Sequence, residues 1–282
     1  HNTKGKEWLL ERVDRSQWDR NTLIAPMLAA SSTTLPADKD SFQYEVKLDG
    51  IRVTIRVNEE TLQIFSRSGR DITKQFPELI QGREDLNVSV GSFEAEIVCL
   101  DKQGKPLFKD VISRMHASNL SIDTLRKQKP VYCYLFDLIY LDGRVLMKEP
   151  LVRRQEWLKD IIKSKKVFRV SDVFPDGAML KNAAEQMGLE GIMAKRKDSI
   201  YIPGKRSPDW LKIKFRNTME CTIVGFTAGK GDRQSHFGSL QLVSKDDSGQ
   251  WVYRGRVGSG FDETALKEIK NQYLLPMISK EK

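Results

Sequence analysis

The sequence predicts an α+β fold in two parts: a larger domain of antiparallel sheets with flanking helices, followed by a small β-barrel. Three observations predict it. Apolar and polar residues alternate with period two in many short runs, the pattern of half-buried strands. Two stretches, Leu151 to Ile162 and Gly177 to Met187, instead carry apolar residues at helical spacing. From Thr218 onward the texture changes to short strands set between glycine-rich turns. A chain of 282 residues suits one large or two modest domains.

Charge narrows the partners. Lys and Arg number 47 against 38 Asp and Glu, a net +9, so a polyanion is expected, nucleic acid first, with a merely soluble basic protein as the alternative. Cys99, Cys133 and Cys221 are odd in number and far apart, which indicates neither a disulfide framework nor a zinc site and suits a reducing, intracellular (cytoplasmic) setting. No apolar run approaches a membrane span, and the polar start His1-Asn2-Thr3-Lys4-Gly5-Lys6 is no signal peptide, so no membrane partner is expected.

Residues 1–20 read as an N-terminal extension with one short apolar piece, Trp8-Leu9-Leu10, set in charge; a leftover strand of something upstream has that composition. Pro26, Pro36 and Ser31-Ser32-Thr33-Thr34 make a loop-like approach to the first strands. Phe42, Tyr44 and Val46 then alternate with Gln43, Glu45 and Lys47, and Ile51, Val53, Ile55 and Val57 alternate with Arg52, Thr54 and Arg56. This predicts a hairpin of two half-buried strands joined by the turn dipeptide Asp49-Gly50. Lys47 at the strand end is either a solvated cation or a nucleophile for covalent catalysis, held at the mouth of a pocket.

The alternating run Thr61 to Ser66 leads into a polar turn whose arginines, Arg67 and Arg70, can meet phosphates or plain water. Phe76, Leu79 and Ile80 predict a short helix over residues 74–83. Ser92 to Asp101 is a strand with Glu94 and Glu96 on one face. Glutamate is uncommon in strands, so the pair points to metal or sugar binding as against a simple edge strand. Val131 to Leu141 is the most continuous apolar run and closes on Asp142-Gly143; a central strand there makes Asp137 a buried acid that needs a partner.

Leu151 to Ile162 starts as a helix after Pro150. Phe168 to Ser171 is strand-like, and in the helix from Gly177 to Met187 the stripe Met179, Ala183, Ala184 and Met187 is expected to face the core. Leu189 to Arg196 is a strand with Glu190 at its entry and Lys195 at its exit. In Trp210-Leu211-Lys212-Ile213-Lys214-Phe215 the two lysines share a face, because strand side chains repeat every second residue. Cations side by side need an anion or water, and a phosphate site uses that arrangement. Strands over residues 220–226, 238–243 and 250–257, with a helix over 263–273, make a small barrel such as the oligonucleotide-binding type.

Six pieces now stand in order: Lys-x-Asp-Gly-x-Arg from Lys47 to Arg52, Ser-Arg-Ser-Gly from Ser66, the strand acid Glu96, Phe136 to Gly143, Glu-Gly-Ile-Met-Ala-Lys from Glu190 to Lys195, and Trp-Leu-Lys-Ile-Lys from Trp210. The series resembles the covalent nucleotidyltransferase superfamily, more closely its ATP-dependent DNA ligases, and nearest the ligase modules of bacterial multifunctional end-joining ligases of the ligase D type. It covers about residues 22 to 275, including Arg254 to Phe261 of the small domain. The resemblance implies an adenylation (nucleotidyltransferase) domain over residues 21–216 and an OB-fold domain over 217–282.

It also implies chemistry. Lys47 would attack the α-phosphorus of ATP to give a lysyl-AMP, whose AMP passes to a DNA 5′-phosphate before a 3′-hydroxyl closes the break. Glu45 would meet the adenine amino group, Arg52 the ribose and Phe136 the nucleoside. Glu96 and Glu190 would handle ribose or a metal, Mg²⁺ or Mn²⁺. Lys212 and Lys214 would hold the α-phosphate, Lys195 would complete the nucleotide site, and Arg67, with Arg70, would touch DNA. Neutralising a free lysine amine at neutral pH takes about 4.6 kcal/mol, and positive potential from Lys212, Lys214 and the metal offsets that. The implied partners are nicked or broken duplex DNA, a Ku-like end-binding protein, and phosphoesterase or polymerase modules joined in the native polypeptide; the implied location is cytoplasmic and nucleoid-associated.

The chain departs from the family twice. Glu94-Ala95 precede Glu96 where the family usually has Asp-Gly, which leaves open whether Glu94 assists or intrudes. The basic C-terminal motif that orients pyrophosphate does not occur before Lys282, and Thr3 to Leu10 resembles the last strand of an upstream phosphoesterase module, so a ligase fragment of a longer protein is expected. The rivals are an RNA ligase or capping guanylyltransferase, against which the run Phe136 to Gly143 speaks, and a non-catalytic nucleic-acid-binding module.

Overall fold

The alternating runs become strands, and two of the three sheets they build enclose a cavity between them. The computed structural model describes residues 23–118, 120–162, 166–215, 219–246 and 248–278; what is expected of residues 1–20 lies outside them. The chain divides into two units, the first ending at Phe215. The first carries β1 (Leu28–Ser32), β2 (Phe42–Val46), β3 (Ile51–Val57), β4 (Leu62–Ser66), α1 (Pro77–Gln81), β5 (Gly91–Cys99), α2 (Phe108–Met115), α3 (Ile122–Gln128) and β6 (Val131–Leu141). It continues with β7 (Arg144–Val145), α4 (Leu151–Ile161), β8 (Phe168–Val170), α5 (Gly177–Gln186), β9 (Gly191–Arg196) and β10 (Arg206–Lys214). The second carries β11 (Thr222–Ala228), β12 (Phe237–Lys245), β13 (Trp251–Val257) and α6 (Glu263–Glu268).

A four-stranded sheet runs β1-β10-β9-β2, and a six-stranded sheet runs β4-β3-β5-β6-β7 with β8 beside β6. The pairing is antiparallel except at β1/β10 and β6/β8, which are parallel. Val53, Ile55, Phe93, Ala95 and Leu135 turn one face of the larger sheet into a core shared with Leu79, Val111 and Leu158 of α1, α2 and α4. The alternate positions Arg52, Thr54, Glu94 and Glu96 therefore occupy the opposite face. On the smaller sheet Phe42, Tyr44, Ile192, Ala194 and Ile213 pack with Leu180 and Ala184 of α5.

Four expectations change. β2 and β3 are not a hairpin: β2 pairs with β9 while β3 pairs with β4 and β5, so the link from Lys47 to Gly50 crosses from one sheet to the other. Gly50 is there for close approach, since a Cβ on it would stand 2.4 Å from the carbonyl oxygen of Ile97. The Asp-Gly dipeptide that does make a hairpin is Asp142-Gly143, with φ of 41° and 96°, the positive pair a tight twisted turn requires. Of the core stripe predicted for α5 only Ala184 is buried, together with Gly177 and Leu180: Met179 and Met187 are 70% and 60% exposed and Ala183 is exposed. The Tyr44 ring packs against Gly177, which rotates the buried face one position away from the methionines.

The helix expected over residues 74–83 shortens to α1, because Pro77 fixes its first turn and 3₁₀ turns flank it. In the second unit the described residues form a three-stranded antiparallel sheet, β11-β12-β13, not a closed barrel. Its register shifts are bulges that increase local twist, and Phe237 and Leu240 pack beneath it with Leu266 of α6. Among the described residues no helix is long and apolar enough to cross a membrane.

Candidate active site

Lys47 directly follows β2, and its backbone N–H donates to the Gly191 carbonyl oxygen at 3.0 Å, which fixes the chain where it leaves the sheet. Its Nζ pairs with Glu190 Oε2. The other oxygen of Glu190 takes Lys214 Nζ at 2.6 Å, so one carboxylate holds two cations. Burial raises the Glu190 carboxyl, yet the hydrogen bonds from Lys214 and Lys47 outweigh it and hold the group below its usual range. Glu96 goes the other way, pushed up to about 7 by burial, with Glu190 and Asp49 adding repulsion that Lys47 and Arg52 only partly offset. Burial, and then the Glu190 charge, also raise Asp49.

Arg52 is fixed from two sides. Its Nε and Nη2 donate to Glu94 Oε2 at 3.0 and 2.6 Å, and its Nη1 donates to the Met27 carbonyl oxygen at 2.7 Å. Thr54 Oγ1 donates to the other Glu94 oxygen at 2.9 Å. Glu94, open at the level of sequence, is thus the buried anchor that lays the Arg52 guanidinium 5.3 Å from the Phe136 ring centroid. Deeper in, Lys195 Nζ donates to Glu45 Oε2 at 2.6 Å and lies 4.4 and 4.7 Å from the Phe136 and Trp210 ring centroids. Lys195 is not a strand-exit surface cation but 2% exposed, its charge matched by a carboxylate and two aromatic faces.

Glu45, Lys47, Arg52, Glu96, Phe136, Lys195 and Trp210 line a cavity of about 720 Å³ between the two sheets, a size that fits a nucleotide. Lys47, Arg52, Arg67, Lys195, Arg206, Lys212 and Lys214 line it against two carboxylates, Glu45 and Glu96. Lys212 is held below its usual value by burial first and then by the charges of Arg206, Lys214, Lys47 and Arg67. Cations that repel one another across a cavity are stabilised by a polyanion such as a triphosphate.

The family model described as the ATP dependent DNA ligase domain matches residues 26–214. That span contains every residue lining the cavity. The chain belongs to the ATP dependent DNA ligase domain family. It is 34% identical over 284 residues to the multifunctional non-homologous end joining protein LigD of Mycobacterium bovis, a match covering 99% of this chain and 35% of that protein. The chain thus spans about a third of that relative's length. Two solved structures are similar. The mycobacterial DNA ligase D complexed with ATP and MES has a TM-score of 0.60 at 32% identity, covering 92% of this chain and 79% of that chain. The ligase domain from M. tuberculosis LigD has a TM-score of 0.58 at 33% identity, covering 92% and 80%.

In this ligase-family chain the structure brings Glu45, Lys47, Arg52, Glu96, Phe136, Lys195, Lys212 and Lys214 to one cavity, with Arg67 on its wall and Glu190 bridging Lys47 and Lys214. Arg70, exposed at the far side of the turn, is not on that wall. Sequence reading missed Arg206, and strand parity does not reach it, because the pairing of β10 with β1 slips between Ser207 and Leu211. It also missed Arg154, the partner Asp137 requires: Nε and Nη2 donate to the two Asp137 oxygens at 2.7 and 2.9 Å, with both side chains fully buried. No sequence signal marks Gln155, which reaches Glu45 from α4.

Metal donors are few. Among the described residues no group of three or more His, Cys, Asp and Glu is arranged to hold an ion alone. Glu96, Glu190 and Asp49 repel one another within the site. A carboxylate pair in that state fits a hard divalent cation that fills the rest of its shell with phosphate oxygens and water.

Proposed function

We propose that this chain is the ligase portion of an ATP-dependent DNA ligase of the end-joining type, which seals nicks or breaks in duplex DNA through a lysyl-AMP. The carrying observation is Lys47 at the mouth of the cavity, sharing Glu190 with Lys214 beside a cluster of cations. Residues 21–216 serve as the adenylation domain and residues 217–282 as an OB-fold domain, a role supported by the curled sheet of β11 to β13.

ATP enters with its base toward Glu45 and Lys195, its ring beside Phe136 and its ribose at Arg52. The triphosphate lies along Lys212, Lys214 and Arg206. Lys214 and Lys47 share one carboxylate, so a phosphate that draws both ammonium groups toward itself loosens Lys47 from Glu190. Lys47 gives one ammonium proton to solvent and the resulting amine attacks the α-phosphorus: a P–N bond forms, the bond to pyrophosphate breaks, and a second proton leaves the nitrogen to solvent. Glu96 and Glu190 would hold a Mg²⁺ or Mn²⁺ ion, which when bound neutralises phosphate charge. AMP then passes to a 5′-phosphate at the break, positioned by Arg67 with Arg70 nearby, and a 3′-hydroxyl displaces AMP to complete the phosphodiester. A Ku-like end-binding protein and covalently joined phosphoesterase or polymerase modules fit as partners, the relative's greater length supporting the last. An intracellular, nucleoid-associated location follows from a DNA substrate.

The test is incubation with α-labelled ATP and Mg²⁺ or Mn²⁺, then nicked duplex. A labelled protein adduct that Lys47→Ala abolishes, and a sealed nick, are the expected results. A normal adduct in Lys47→Ala sinks the mechanism, and label acquired from GTP in preference to ATP favours a capping enzyme.

A further inference from the structure

Behind the cavity wall a chain of side-chain amides reaches Glu45 from outside the site. Gln43 Nε2 donates to Gln155 Oε1 at 2.5 Å. Gln155 Nε2 in turn donates to Glu45 Oε1 at 2.9 Å and to the Phe136 carbonyl oxygen at 3.0 Å. Gln43, Gln155 and Glu45 are 4%, 4% and 3% exposed, so water does not stand in for these bonds. The orientation of the Gln155 amide is determined: turned over, its oxygen would face two acceptors, and Gln43 would lose its own.

We propose that Gln155 is a positioning residue that makes Glu45 a fixed, acceptor-only reader of the nucleotide base, so that the site prefers a 6-amino purine over a 6-oxo purine. The inference rests on the adenylation reading above and names the residue that gives that site its base preference. Each Glu45 oxygen is held by a donor, Oε2 by Lys195 at the cavity wall and Oε1 by Gln155 from behind it. A carboxylate so held keeps its plane, and its remaining lone pairs are acceptors only. An exocyclic amino group meets those lone pairs favourably; an oxo group at the same place sets acceptor against acceptor. Gln155 also ties the strand carrying Phe136 to the same amide, so base reader and aromatic neighbour are set in register. Without Gln155, Oε1 loses its donor, and the carboxylate can rotate toward Lys195 and away from the plane that sets its lone pairs against an oxo group.

The test is equilibrium binding of ATP and of inosine triphosphate to the full chain in EDTA, where no covalent step intervenes, for wild type and Gln155→Leu. Wild type is expected to bind ATP the more tightly, and Gln155→Leu to lower that preference at least about fivefold, chiefly by improving inosine triphosphate, with the melting temperature reported alongside. Gln43→Leu, which removes only the bond orienting the amide, is expected to lower the preference by a smaller factor, and it carries the test if Gln155→Leu does not fold. An unchanged ratio, or equal losses for both nucleotides, overturns the inference. Wild type that binds ATP and forms the labelled adduct while the variants keep its preference overturns this inference alone; wild type that binds neither nucleotide overturns the adenylation reading with it.

Discussion

Burial pushes the Glu96 carboxyl up to about 7, so it is partly protonated at neutral pH, and a nearby cation would draw it to the charged form. Its effect on stability has a definite sign. In the unfolded chain the group ionises near 4.5 and in the fold near 7, so between those values the native state binds more protons and stability falls as pH rises. The penalty is complete above the folded value and amounts to at most about 3 kcal/mol. Glu96→Gln is therefore expected to flatten the pH dependence, gaining on wild type in urea unfolding at mildly alkaline pH and not at pH about 4. A parallel shift at both pH values refutes the assignment. The same residue scale holds a pair of opposite character: Arg154→Leu leaves Asp137 buried and unpaired, and urea denaturation is expected to show a loss of about 3–5 kcal/mol. Because Arg154 also donates to the Ser199 carbonyl oxygen at 3.0 Å, that loss includes the tie between α4 and the loop before β10.

The decisive element is the crossing from β2 to β3. It carries Lys47 out of the smaller sheet, beside β9, and delivers Arg52 onto the polar face of the larger one, beside Glu96. A step of five positions thus places Lys47 and Arg52, the proposed nucleophile and ribose partner, in one cavity from two different sheets, which a hairpin within a single sheet could not do. The crossing is tight because Gly50 passes against β5, where an added Cβ would meet the Ile97 oxygen at 2.4 Å and Val98 Cγ1 at 2.6 Å. Gly50→Ala is expected to shift Lys47 and slow labelled-adduct formation at least about tenfold, since small displacements of a nucleophile are expensive in rate. Adduct formation at the wild-type rate would falsify the account of the crossing. The exposed methionines of α5 teach the converse lesson: helical spacing marks an apolar stripe, but the Tyr44–Gly177 contact chooses which side is buried.

At the scale of the molecule, the net +9 and the cations of the cavity wall set how the chain meets a polyanion. Affinity for nicked duplex is expected to fall at least about tenfold between about 50 and 200 mM salt, the slope of two or more released counterions; a flat salt response refutes phosphate-driven binding. Every residue lining the cavity lies in the first unit. A fragment ending at Phe215 is therefore expected to bind ATP in EDTA within about threefold of the full chain. A larger loss in a folded fragment shows that the second unit contributes to the nucleotide site.

By itself the sequence determined the family and most of the strands. Lysine, glutamate and arginine in fixed local spacing are readable because strand parity is a property of neighbouring residues, and that parity alone put Lys212 beside Lys214 and Glu94 beside Glu96. Asp137 was legible as an acid in want of a partner, since burial of its run followed from the run's own composition. Only the tertiary structure decided who the partners are: Arg154 for Asp137, Glu94 for Arg52, Gln155 for Glu45, each joined across 17 to 110 positions of sequence. It also decided that Asp49-Gly50 crosses between sheets while Asp142-Gly143 turns back. The same dipeptide serves both, because the choice depends on which strands lie nearby in space, and a local pattern carries no record of them.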